Sequence, residues 1–88
     1  MRRIVESLIE DTERQLPLLE MAVKATDAAQ CARLAHYSKG ACANIGAVSA
    51  AGVLSELERC AKRGALEECS LHLIALGFEL ERLRTEEI

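Results

Sequence analysis

The chain of 88 residues has no tryptophan, one phenylalanine, one tyrosine and one proline. A core with almost no aromatics suits packed helices better than a sandwich or barrel. Five glycines and Pro17 leave too few turn signals for many short strands. No apolar run approaches the roughly 20 residues that span a bilayer. Met1-Arg2-Arg3 leads into an amphipathic pattern rather than a signal-peptide core. The chain is therefore expected to be cytoplasmic and free of membrane. Neither sign of charge dominates: 11 basic against 14 acidic residues give −3, so there is no electrostatic case for nucleic acid. The four cysteines, Cys31, Cys42, Cys60 and Cys69, form no CxxC pair, and zinc sites usually pair their ligands closely. Each lies on or beside an apolar helical stripe, where a free thiol behaves as a small core residue. Four reduced, buried thiols and no bound metal are expected, with disulfides or a Cys/His metal site as the weaker reading.

What is present is apolar residues, half the chain, arranged with helical period. One domain over 1–88 is expected, since this length supports a single core. The first segment, about Arg2 to Lys24, carries Val5, Leu8, Thr12, Leu16, Leu19 and Val23 on one stripe, with Pro17 expected to kink it or split it. Thr26-Asp27 supplies an N-cap for the second segment, which turns Cys31, Leu34, Ala35, Ser38, Cys42 and Ile45 inward and stops at Gly46. The third, about Val48 to Lys62, buries Val48, Ala51, Leu54, Leu57 and Ala61 and ends in Lys62-Arg63-Gly64, a cationic last turn before a glycine cap. In the fourth, Leu66, Cys69, Leu73, Leu76, Leu80 and Leu83 alternate steps of three and four, a heptad-like seam. Short links make neighbours antiparallel. The fold class is all-α, an antiparallel up-and-down four-helix bundle.

His36 falls beside the inward stripe of the second segment and is expected to face solvent. Ala32 and Arg33 lie one turn before it, Lys39 and Gly40 one turn after, and Ala43 extends the same face. Small residues thus surround one imidazole, with cations at the margin. Imidazole titrates near 6.5 and is a nucleophile when uncharged. A phosphoryl group in transfer spreads negative charge over its oxygens, which a lysine one turn away can stabilise. Gly40 leaves room for an approaching partner. His72 has no such company, and the glutamates of the last segment read as a solvated face.

His36-Tyr37-Ser38-Lys39-Gly40, then Asn44-Ile45-Gly46-Ala47 and Leu57-Glu58, together resemble the histidine-containing phosphotransfer (HPt) domain over nearly the whole chain. The resemblance implies a phosphorelay intermediate. His36 would take a phosphoryl group from a receiver-domain aspartate, or from a hybrid sensor histidine kinase, and pass it to a response-regulator aspartate. It implies that Lys39 supports the phosphate and that Glu58 bonds the other imidazole nitrogen. It also implies that Ala32, Arg33, Gly40 and Ala43 meet the receiver, with Ala32, Gly40 and Ala43 central. No cofactor is expected on this chain, any Mg2+ belonging to the receiver. Without a Gly-rich phosphate loop, the chain is expected to be a carrier with no kinase activity of its own.

Ser38 departs from the family, which commonly has an apolar residue there; its hydroxyl is expected to bond back to the preceding turn. The chain also lacks the extra leading helix and early aromatics of many members, so it fits either a free-standing carrier or a piece of a hybrid kinase. Two other readings stay open. One is a helical interaction module with an incidental histidine. The other is the amino-terminal phosphorylatable domain of a chemotaxis-type kinase, which is usually longer.

Overall fold

The computed structural model describes residues 2–87, with side chains described for residues 6–85. Val5 and the Met1-Arg2-Arg3 lead lie outside those side chains. Four helices follow one another: α1 (Arg2–Lys24), α2 (Ala28–Asn44), α3 (Val48–Lys62) and α4 (Leu66–Glu87). Among the described residues they pack in the ring α1–α2–α3–α4–α1, so α2 and α4 stand diagonally opposed. The bundle measures 37 × 18 × 18 Å. This is the antiparallel four-helix bundle that the stripes imply.

The three links share one construction. Each helix ends with a residue at positive φ: Thr26 (53°), Gly46 (74°) and Gly64 (74°). The N–H of that residue and of the next turn back onto the last turn of the helix. They are Thr26 on Val23 and Asp27 on Ala22, Gly46 on Ala43 and Ala47 on Cys42, and Gly64 on Ala61 and Ala65 on Cys60. This paired pattern is the Schellman motif, which satisfies carbonyls a helix end otherwise leaves open. The residue after the positive φ then starts the next helix. Asp27 does so with its side chain, which accepts a hydrogen bond from the Gln30 N–H at 3.1 Å.

The core is aliphatic, with Leu19, Leu54, Leu57, Leu76 and Leu80 fully buried and all four cysteines free and buried among them. Burial is the main force pushing the Cys31 thiol up to about 12, with Cys69 beside it adding to the effect. The seam of α4 holds as read: Cys69, Leu73, Leu76 and Leu80 are buried, with Leu66 and Leu83 partly so.

Three readings need correction. Of the two outcomes expected at Pro17, a kink or a split, the split does not occur: α1 runs through it as one helix with the proline ring in solvent. Thr12 before it and Leu19 and Ala22 after it are buried, so both halves are held by core packing. Val48 is not buried but 79 % exposed; it opens α3, and Ala47 and Ala50 take the inward positions instead. Ser38 is buried, yet its Oγ has no hydrogen-bond partner, so the expected bond to the preceding turn is not made.

Candidate functional site

The site is assembled across the α2–α3 contact. On α2 the inward stripe, Cys31, Ala35, Ser38 and Cys42, is buried. His36, one residue off that stripe, has a side chain 68 % exposed. The Gly46 turn folds α3 back along α2. Glu58, near the end of α3, thereby meets the histidine from the neighbouring helix.

His36 Nδ1 lies 3.1 Å from Glu58 Oε2. Lys39 Nζ donates to Glu58 Oε1 at 2.9 Å, and Lys62 Nζ lies 3.1 Å from Oε2. The Glu58 side chain is 11 % exposed, so its carboxylate sits at the base of the site with three nitrogen groups around it. The Lys39 hydrogen bond, followed by that of Lys62, holds its pKa down to about 2 against the burial that would raise it. At any pH above that range Glu58 is ionised and can only accept. Nδ1 therefore carries the proton in the Glu58 contact. In the neutral ring this leaves the lone pair on Nε2, so the ring is a nucleophile at one defined nitrogen.

The surroundings are shallow. Ala32, Arg33, His36, Glu58 and Lys62 line a dent on one side of the ring, and Lys39, Ser55, Glu58, Arg59 and Lys62 line another beside it. Gly40 and Ala43 are exposed, and a Cβ added at Gly40 meets nothing within 4 Å. Arg33 is exposed and donates to Gln30 Oε1 at 2.7 Å. Ala32 is 8 % exposed and forms the floor of the dent beside the ring. The structure thus brings His36, Lys39 and Glu58 into one hydrogen-bonded cluster, with Gly40 and Ala43 open beside it.

Lys62 is the residue that sequence reading missed. In sequence it reads as part of the cationic last turn of α3, a position it does occupy. Its spacing four residues after Glu58 was the available signal, since such pairs share a helix face. Among the described residues, no group of three or more His, Cys, Asp or Glu side chains is arranged to hold a metal, and no helix is long and apolar enough to cross a membrane.

The chain resembles known proteins over nearly its whole length. The chain is 38 % identical over 83 residues to the sensor histidine kinase AruS of Pseudomonas aeruginosa, a match covering 94 % of this chain but 8 % of that protein. Its structure is similar to the crystal structure of histidine-containing phosphotransfer protein B (HptB) from Pseudomonas aeruginosa PAO1. The TM-score is 0.93 at 31 % identity, covering 98 % of this chain and 75 % of the other. The Hpt domain family model matches residues 3–86. With that match spanning the bundle and the histidine cluster at its centre, the chain belongs to the Hpt domain family, the histidine-containing phosphotransfer domains of two-component phosphorelays.

Proposed function

We propose that His36 is the phosphoryl acceptor, taking the group from the aspartyl phosphate of one receiver domain and passing it to the aspartate of another. The observation that supports this most is the contact of Nδ1 with an ionised Glu58 while most of the ring stands in solvent. In the forward step the Nε2 lone pair forms the N–P bond, the acyl O–P bond breaks, and the aspartate carboxylate leaves with that electron pair. The imidazole gains positive character as the bond forms, and the Glu58 carboxylate stabilises it. Transfer onward reverses each change.

Lys39 and Lys62 stand on either side of the same carboxylate, close enough for their flexible ammonium groups to turn to phosphoryl oxygens. They thereby offset the charge that the group brings. Gly40 and Ala43 keep the approach open, with Arg33 at its rim and Ala32 as its floor. The partners in this reading are receiver domains and a hybrid sensor histidine kinase in the cytoplasm. Mg2+ is carried by the receiver, and this chain acts as a carrier with no kinase activity of its own.

The test is transfer from a phosphorylated receiver domain. Acid-labile, base-stable phosphate should appear on this chain and be absent from His36→Gln. Glu58→Gln should still accept phosphate but about tenfold more slowly, because an amide orients the ring without a full charge. Phosphate on His36→Gln would overturn the assignment. No transfer from a panel of receivers would favour a helical interaction module.

A further inference from the structure

Helix α4 carries two apolar seams, and the bundle uses one. Opposite the buried seam, Leu71, Ile74 and Phe78 lie at steps of three and four and are 68, 60 and 69 % exposed. These are the largest apolar side chains of the helix left in water, two turns of helix or about 10 Å end to end. Surface helices normally keep the outward face polar, so a second apolar seam signals a second contact.

The seam is framed by charge of opposite sign. One helical step before Leu71 comes Glu67, and one after Phe78 comes Arg82, both exposed. We infer that the outward face of α4 pairs with the same face of a second copy of this chain, antiparallel and about a twofold axis. In this register Leu71 meets Phe78 of the second copy, and Ile74 meets the small, half-buried Ala75 of the second copy, where the helices can approach closely. Glu67 then meets Arg82 of the second copy, and symmetry makes each contact twice. Arg82 already pairs with Glu79 at 2.6 Å within its own helix, and Glu67 of the second copy adds a carboxylate to that charge group. Sliding the register by one residue sets Glu67 against Glu81 in one direction and against the partly buried Leu83 in the other, and a parallel arrangement sets Glu67 against itself. The Glu67–Arg82 contact at both ends of the seam thus belongs to one alignment.

The contact is modest. One helix face on a bundle 37 Å long and 18 Å across buries about 600 Å² per copy, at the low end for specific pairs, so association is concentration-dependent. Because α2 is diagonal to α4, the pairing leaves both histidine faces open.

Sedimentation of the whole chain from about 10 µM to about 1 mM tests this. The mass should rise from the 9.6 kDa of one chain toward twice that value. Ile74→Glu should abolish the rise while keeping helicity, thermal midpoint and acceptance of phosphate. Glu67→Arg and Arg82→Glu should each weaken association at least about fivefold, and the double reversal should restore it. Several results would overturn the proposal. One is a chain that stays monomeric throughout, which would leave the seam to a different protein or domain. Another is a dimer untouched by Ile74→Glu. A third is a dimer indifferent to the charge reversals.

Discussion

Glu58 is the residue on which the electrostatics of the site converge, and its titration is visible in stability. Its folded-state pKa lies near 2, below the ordinary 4.5, so the folded state holds the carboxylate more tightly than the unfolded chain does. That contribution is fully present above about pH 4.5 and is lost as pH falls toward 2. A depression of this size corresponds to roughly 3 kcal/mol before solvent screening around the exposed Lys62 reduces it. Thermal midpoints should therefore be higher for the native chain than for Glu58→Gln above pH 5, and the two should converge by about pH 2. A constant gap across that window would show that the carboxylate is not what the lysines stabilise. Ser38 makes a second, opposite case. Its hydroxyl is buried without a partner, so Ser38→Ala removes a desolvated polar group and should raise stability by about 1 kcal/mol, a midpoint several degrees higher by calorimetry. At this scale His36 and Lys39 were legible from one helix. The approach of Lys39 to Glu58 was not, because it depends on how two helices align and no single-helix pattern encodes that, whereas Lys62 shares α3 with Glu58 and its four-residue spacing was there to be read.

The elements were legible wherever a glycine or an apolar stripe marked them. Gly46 and Gly64 announce their helix ends, and α4 alternates so regularly that its buried seam could be read directly. Two features escaped for physical reasons. Pro17 removes one N–H and looks like a break, yet tertiary packing below it carries the helix through. Thr26 occupies the same left-handed position as the two glycines, with φ at 53°, where a β-branched residue is strained and gives no sequence signal. Its hydroxyl bonds only its neighbour, the Ala25 carbonyl, at 2.6 Å on the exposed surface. Thr26→Gly should therefore stabilise the bundle by about 1 kcal/mol, the relief of the left-handed strain outweighing the added freedom of the unfolded chain. The reciprocal Gly46→Thr should destabilise by a similar amount. Urea midpoints of the two variants, read against the native chain, check both signs at once.

At the scale of the whole molecule, stability and partner access draw on the same surface and can be set against each other. Gly40 sits inside α2, where a glycine costs about 1 kcal/mol relative to alanine, and nothing in the fold requires it. Its φ is not positive, and a Cβ there would meet nothing within 4 Å. The bundle would therefore be better served by almost any other helix former. The residue lies one turn after His36, however, on the small-residue face where, in the proposed relay, a receiver brings its aspartate to the ring. Gly40→Ala and Gly40→Gln should both raise the thermal midpoint by a few degrees, since the gain is one of helix propensity. Transfer should move the other way and by size: little changed by the single methyl of alanine, and slowed about tenfold or more by the longer side chain of glutamine. Stopped-flow transfer from one phosphorylated receiver, measured beside calorimetry on the same variants, separates the two effects. A glutamine variant that is more stable and equally fast would mean that the receiver approaches from another direction. One that is slower while unfolding earlier would mean that Gly40 serves the bundle after all.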